Sequence, residues 1–146
     1  MNTCRLILAS AAVALLSLPA HAFRLIGDDE ARQPAGAGLA TRGITRGPAI
    51  RQIAPESSAA ALKSPLNLKL SFEARGGAKI DPASVRMTYL KATPIDLTER
   101  VRHGLSDKGL ELTGAEVPPG DHEIQITLQD SEGRKGVHTI RLSVGK

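Results

Sequence analysis

The sequence predicts an all-β protein, a sandwich of two packed sheets with about seven short strands. Apolar and polar residues alternate with a period of two in several stretches, which is the pattern of strands with one buried face. Turns that contain glycine or proline separate these stretches at regular intervals. Packing two sheets through their apolar faces would bury those faces, and 146 residues are enough for one such domain.

The N-terminal segment, residues 1–22, has the pattern of a cleaved signal peptide. Arg5 supplies a positive charge, an apolar run follows from Leu6 to Leu18, and Ala20-His21-Ala22 is an A-x-A cleavage site. The run is too short to cross ~30 Å of hydrocarbon as a helix. We therefore predict cleavage after Ala22, export to the periplasm and no membrane span.

Composition argues against a disulfide scaffold and against a nucleic-acid binder. Cys4 is the only cysteine and lies in the signal peptide, so the exported chain depends on a packed core for stability. The net charge of +4 comes from scattered basic residues, and only Phe23, Phe72 and Tyr89 are aromatic. Because a nucleic-acid binder uses a clustered basic stripe and stacking aromatics, we expect no nucleic-acid partner.

Residues 23–46 are predicted to form a flexible tail or linker. They consist mainly of Gly, Ala, Arg and Pro with little periodicity, and Gln33–Gly38 can neither bury a core nor hold one conformation. Arg42, Arg46 and Arg51 lie at the far side of this segment. They suit contact with an anionic surface such as lipid or envelope polymer, but we favour their interpretation as solvated charge on a flexible arm.

Three strands are predicted in the first half of the domain. A short strand at Ala49–Ala54 ends at Pro55, and a clearly alternating strand follows from Leu66 to Glu73. Gly76-Gly77 ends that strand, and a turn at Asp81-Pro82 starts the approach to the third. The apolar positions of the third strand are Val85, Met87 and Tyr89.

Residues 93–112 have the weakest pattern. Asp96-Leu97-Thr98-Glu99 resembles a helix capping box, but Gly104 and Gly109 limit any helix to a turn or two. Leu110–Leu112 is predicted to be a short edge strand. The apolar residues with helical spacing are Leu97, Val101 and Leu105.

Two alternating strands joined by a hairpin loop form the clearest pattern, in the C-terminal third. The turn Pro118-Pro119-Gly120 precedes the first strand, and the loop Asp130–Arg134 contains a glycine that suits a positive φ angle. Alternation places these residues on the apolar face of the two strands: His122, Ile124, Ile126 and Leu128, then His138, Ile140, Leu142 and Val144. Parity in the whole domain places Leu68, Leu70, Phe72, Tyr89, Ile126 and Leu142 in the core.

This C-terminal third resembles the final hairpin of bacterial immunoglobulin-like domains. The shared elements are the Pro119-Gly120 turn, the strand Ile124–Leu128, the Asp-x-x-Gly-polar loop Asp130–Arg134, and the last strand Ile140–Val144. The resemblance covers roughly residues 47–146, the size of one such module, and implies an immunoglobulin-like β-sandwich. It implies little about function, since unrelated activities use this fold.

The sequence also resembles small periplasmic copper-resistance proteins of the immunoglobulin-like type. They share the signal peptide, an early proline, a leucine-rich second strand and the Pro-Gly hairpin. This resemblance implies a copper site made from an N-terminal histidine with further histidine and acidic ligands. Here Phe23 stands at the expected N-terminus, and Arg134 stands where a loop histidine is expected.

The three histidines of the exported chain, His103, His122 and His138, are candidate metal ligands. A hairpin centred near Glu132 places His138 opposite about residue 126, so His122 lies ~13 Å further along the strand at ~3.3 Å per residue. Two imidazoles that share a metal must both come within ~2.1 Å of it, which this register forbids. His103 joins one of them only if residues 93–112 fold back over the hairpin.

Catalytic patterns are also missing from the sequence. It has no G-x-S-x-G elbow and no Ser-x-x-Lys in a helical context. Asp130 and Glu132 share the hairpin loop, but a calcium ion needs about 6–8 oxygen ligands. We therefore predict a protein that is not an enzyme, with no catalytic residues, no metal site and no cofactor.

Three functions remain open. The leading hypothesis is a non-enzymatic periplasmic interaction module of unknown ligand, whose partner is an envelope protein or polymer. Edge strands and end loops are the usual binding surfaces of such a sandwich. The first alternative is a periplasmic copper-handling protein, and the second is an accessory domain for a cell-envelope enzyme. The sequence does not fix the oligomeric state.

Overall fold

The computed structural model describes residues 23–37, 46–56 and 60–146, and these residues form an all-β sandwich. A 3₁₀ turn at Arg102–Gly104 follows the second helix. The strands and helices, in chain order, are β1 (Phe23–Arg24), α1 (Asp28–Ala31), β2 (Ala49–Ala54), β3 (Leu66–Glu73), β4 (Ile80–Tyr89), β5 (Ile95–Asp96), α2 (Thr98–Val101), β6 (Gly109–Glu116), β7 (Gly120–Asp130) and β8 (Lys135–Val144).

Two four-stranded sheets pack against each other. The first has the strand order β1-β6-β3-β2 and the second β5-β4-β7-β8. Strand β1 runs parallel to β6, whereas the other neighbouring strands are antiparallel. The all-β sandwich predicted from alternation is therefore confirmed, with two of its strands only two residues long.

The predicted core is confirmed as well. Strands β2 and β3 have the bounds expected from the sequence. Side chains that parity placed inside are at most 6% exposed: Leu68, Leu70, Phe72, Tyr89, Ile126 and Leu142. Further buried leucines, isoleucines and valines from both sheets complete one continuous apolar core.

The prediction of a flexible segment is wrong for residues 23–37. Leu25 and Ile26 are almost completely buried, and both amides donate to the carbonyl oxygen of Glu116. Phe23 pairs with Ala115 of β6. A short apolar run is enough to hold this segment on the sheet even though it lacks periodicity. Residues 38–45 of the predicted segment and the signal peptide at 1–22 lie outside the described residues.

The turn expected at Asp81-Pro82 lies inside β4. The pairing of β4 with β7 shifts register between Asp81 and Arg86, which marks a β-bulge. Asp81 Oδ1 accepts a hydrogen bond from the Ala83 amide at 2.9 Å, as in a turn. A bulge accommodates proline because the missing N–H removes no regular ladder bond there.

Residues 93–112 form more structure than the sequence predicted. The short helix α2 is confirmed, with Leu97 and Val101 buried. Asp96, at the end of β5, accepts a hydrogen bond from the Thr98 amide at 2.8 Å, but Glu99 bonds to Arg102 rather than completing a capping box. Leu110–Leu112 belongs to the longer strand β6, which pairs with β3 on one side and is joined by β1 on the other side only at Ala115 and Glu116, so the strand is longer than predicted.

The C-terminal hairpin has the predicted register. His138 lies opposite Ile126, and His122 lies opposite Leu142. At the loop, Asp130 is buried and accepts hydrogen bonds from the amides of Glu132 and Arg134. Within the described ranges, none of the helices has the length and apolar character needed to cross a membrane.

Candidate functional site

The backbone groups along the open edge of β4 are largely hydrogen-bonded to other groups of this chain. The Leu97 amide donates to the Met87 carbonyl oxygen, and the Met87 amide donates to Thr98 Oγ1. Further along, Arg86 donates from Nη1 to the carbonyl oxygens of Ala83 and Val85, both at 2.9 Å. These contacts leave few β4 groups for a partner strand.

In the first sheet, the edge of β6 is covered by β1 and by the segment that carries His103 and Gly104. Phe23 of β1 pairs beside Ala115, and the His103 ring packs edge-on against the Phe23 ring with centroids 4.8 Å apart. The backbone at Gly104 lies so close to the Glu111 carbonyl oxygen that a Cβ atom would clash. This edge therefore offers no continuous row of backbone groups.

Strand β8 is covered at both ends. The Leu62 amide donates to the Ser143 carbonyl oxygen at 2.7 Å, and the Gly145 amide donates back to Leu62 at 2.9 Å. At the other end, Gly47 lies tightly against the Lys135 carbonyl oxygen. Only the middle of β8, around the 45% exposed Val137, remains open among the described residues.

A groove on the outer face of the first sheet is the best candidate binding site. Ile53 of β2 is 50% exposed, the highest value among the large hydrophobic residues that the structure describes. A register shift between Gln52 and Ala54 bulges β2 at this residue. The groove has a volume of about 340 Å³ and is lined by Ile53, Lys69, Leu70, Ser71, Gly104, Ser106, Lys108, Gly109, Leu110 and Glu111.

Two glycines and one serine build the far wall of this groove. Gly104 and Gly109 each approach a neighbouring backbone too closely to carry a side chain, so the loop between them lies directly against the sheet. The Ser106 amide donates to the Gly109 carbonyl oxygen at 2.8 Å, and the Lys108 amide donates to Ser106 Oγ. The wall is therefore fixed before any ligand arrives.

The groove has an apolar side and a basic side. Lys69 Nζ lies 3.5 Å from Glu111 Oε2, so this exposed pair is largely self-compensating. Lys108 is exposed and forms no salt bridge with a described residue. A ligand that offers an apolar group to Ile53 and a carboxylate to Lys108 matches this arrangement.

The histidines lie apart and have other contacts. His122 is buried, with Nδ1 2.7 Å from Tyr89 Oη and Nε2 2.7 Å from the Pro118 carbonyl oxygen. Since that carbonyl only accepts, Nε2 carries the proton and Nδ1 accepts from the tyrosine. His103 contacts Phe23 and lies in the segment over the β6 edge. The described part of the chain has no group of three His, Cys, Asp or Glu residues placed to hold a metal ion.

The two carboxylates of the hairpin loop, Asp130 and Glu132, both form salt bridges with Arg134 and not a calcium site. The distances are 2.8 Å from Arg134 Nε to Asp130 Oδ2 and 2.7 Å from Nη2 to Glu132 Oε2. The hydrogen bonds from Arg134 and the Glu132 amide hold the pKa of Asp130 below its usual value despite its burial. This loop is therefore a structural turn.

Sequence reasoning did not identify the Ile53 groove. The sequence correctly placed Ile53 in a short strand that ends at Pro55, but it contains no signal for the bulge or for the loop that borders the groove. Comparison with protein-family models, curated proteins and solved structures finds no match to this chain.

Proposed function

We propose that this protein is a non-enzymatic interaction module of the periplasm and that it binds an envelope protein through the Ile53 groove. The observation that carries this proposal is the half-exposed Ile53 beside a preformed groove. Large exposed apolar side chains next to polar rims are typical of contact surfaces. The sandwich otherwise keeps its large apolar residues inside, with Val137 as the other exception among the described residues.

The groove suits an extended protein segment better than a small enclosed ligand. It is open along the outer face of three strands and has hydroxyl groups from Ser71 and Ser106 along its length. An apolar side chain of the partner would cover Ile53, and an acidic side chain would pair with Lys108. Complete burial of an exposed isoleucine side chain contributes about 1.5–3 kcal/mol. Ile53 is already half buried, so its further burial contributes about half of that, which favours a modest affinity.

A capture experiment with matched variants tests this proposal. The exported protein, immobilised at its C-terminus, is expected to retain a specific envelope protein that Ile53→Asp no longer retains. Val137→Asp is the control, because it places the same charge at an equally exposed apolar site on the other sheet. Retention by Ile53→Asp, or equal loss with both variants, would contradict the groove assignment.

The copper-handling and accessory-domain alternatives have no comparable support. No group of His103, His122 and His138 forms among the described residues, and no contact of these residues points to an associated enzyme. We therefore propose neither of them.

A further inference from the structure

Basic side chains gather at one end of the sandwich, where two loops meet. The β3–β4 loop carries Arg75 and Lys79, and the β7–β8 hairpin carries Arg134 and Lys135. Arg46 lies beside Lys135, because the adjacent Gly47 packs against the Lys135 carbonyl oxygen. We call these five residues the basic end.

The two loops are locked to each other. The Ser131 amide donates to the Lys79 carbonyl oxygen at 2.7 Å, and the Lys79 amide donates to Ser131 Oγ at 3.1 Å. Arg134 Nη2 donates to the Arg75 carbonyl oxygen at 2.7 Å. These bonds hold the backbone of the two loops and the Arg134 side chain in one arrangement, so only the exposed lysine and arginine side chains are ordered on binding.

A glycine turn forms the tip of this surface. Gly76 and Gly77 have φ angles of 62° and 75°, and the space where a Gly77 side chain would lie is empty within 4 Å. Neither of their amides donates to a described oxygen atom. Arg134 Nη1 also makes no hydrogen bond within the described residues and lies 3.8 Å from the position of a Gly76 Cβ atom. Free amides beside a fixed guanidinium suit a phosphate oxygen.

The basic end keeps an excess of positive charge. All acidic residues of the chain lie in the described ranges, and Arg46, Arg75, Lys79 and Lys135 form no salt bridge with any of them. Asp130 and Glu132 both bond to Arg134. Two other acids lie nearby: the Asp81 carboxylate accepts from the Ala83 amide, and Glu73 pairs with Arg51.

We propose that the basic end binds the phosphate groups of an anionic phospholipid surface. The loops form an open tip rather than an enclosed cavity, so several phosphates of a surface are contacted at once. This inference goes beyond the proposed function and does not depend on the Ile53 groove. Each basic residue near an anionic bilayer contributes about a fivefold gain in binding, and salt screens that gain.

Sedimentation with vesicles tests the inference, using exported protein without its signal peptide. Binding is expected to vesicles that contain phosphatidylglycerol, to weaken when salt is raised from 0.05 to 0.5 M, and to be absent with phosphatidylcholine alone. The double variant Arg75→Gln, Lys79→Gln is expected to lose about fivefold for each charge removed. Because both side chains are exposed, the variant should keep its fold, which thermal unfolding checks.

The matched control is Arg24→Gln, Lys63→Gln. It removes two exposed cations from the other end of the sandwich and leaves the same net charge. Equal loss with both double variants would overturn the assignment to the basic end, since only net charge would then matter. Amide shifts at Gly76 and Gly77 with inorganic phosphate, but no vesicle binding, would overturn the lipid surface as the source. Ile53→Asp should leave vesicle binding unchanged, which separates this result from the groove.

Discussion

At the scale of single residues, His122 shows how a polar group is buried in this core. Both ring nitrogens have partners, from Tyr89 and from the Pro118 carbonyl group. Burial lowers the pKa of His122, and the positive charge of Lys91 adds to that effect, while the Pro118 hydrogen bond and Asp121 oppose it. Burial also raises the pKa of Tyr89 to about 12, so the pair is neutral at neutral pH.

We expect the stability of the fold to fall as the pH drops below 6.5, the ordinary pKa of histidine. A histidine with a lowered pKa in the folded state stabilises above its unfolded pKa, and this contribution is lost as the pH falls toward the folded value. The check is urea unfolding at pH 7.5 and pH 5.5. His122→Gln should reduce the difference between the two free energies of unfolding.

His138 is a second contributor to this pH dependence, because burial lowers its pKa as well. His138→Gln should therefore remove a separate part of the same pH dependence. A pH dependence that survives both substitutions would contradict the assignment to these two histidines.

At the scale of elements, the N-terminal segment is held by a clamp around α1. Glu30 accepts bidentately from Arg100 of α2, at 2.6 and 2.8 Å, and also from the Gly27 amide. Arg100 donates further to the Leu25 carbonyl oxygen at 2.9 Å. Lys91 adds a hydrogen bond to the Ala31 carbonyl oxygen at 3.0 Å. These contacts tie α1 to residues far away in the chain.

Glu30→Gln is expected to lower the free energy of unfolding by about 1–2 kcal/mol at pH 7, because it weakens charge-assisted hydrogen bonds. The Arg100 hydrogen bonds lower the pKa of Glu30 from 4.5 to about 2. A lowered carboxyl pKa stabilises above the unfolded value, so the cost of the substitution should shrink as the pH falls from 4.5 toward 2. Chemical denaturation across this range measures it.

Asp29→Asn is the matched control, since the Asp29–Arg32 pair is almost fully exposed and exposed pairs contribute little. Hydrogen exchange adds a local readout: Leu25 and Ile26 should exchange faster in Glu30→Gln. Unchanged exchange at these amides would show that the clamp does not hold the segment.

Strands and helices also differ in how far the sequence predicts them. Strands β3, β7 and β8 were predicted because alternation over several residues reports a buried face directly. The clamp was not predicted, because Glu30 and Arg100 are far apart in sequence and neither follows a local pattern. The bulge in β4 was read as a turn for a related reason: Asp81-Pro82 has turn chemistry, but pairing with β7 continues past it. The groove depends on such long-range contacts and was missed entirely.

At the scale of the whole molecule, the sandwich protects its sheet edges by different means. Strand β1 covers β6, Arg86 caps carbonyl groups of β4, and Leu62 pairs with the end of β8. Such protection limits edge-to-edge association. It leaves three surfaces that suit contact with other molecules: the Ile53 groove on a sheet face, the basic end on the end loops, and the open part of β8 around Val137.

We expect the exported chain to begin at Phe23. The A-x-A pattern places the cut after Ala22, and Phe23 is already paired with Ala115 in the sheet. A cut beyond Ile26 would remove β1 and two buried side chains, at a cost of about 1.5–3 kcal/mol for each. That is a large part of the roughly 5–15 kcal/mol that stabilises a typical domain.

N-terminal sequencing of the protein from the periplasm tests this prediction. Ala22→Leu is the control, because a bulky residue at the last position of the signal should block cleavage. A mature chain that retains Leu6–Leu18, or that begins after Ile26, would contradict the prediction.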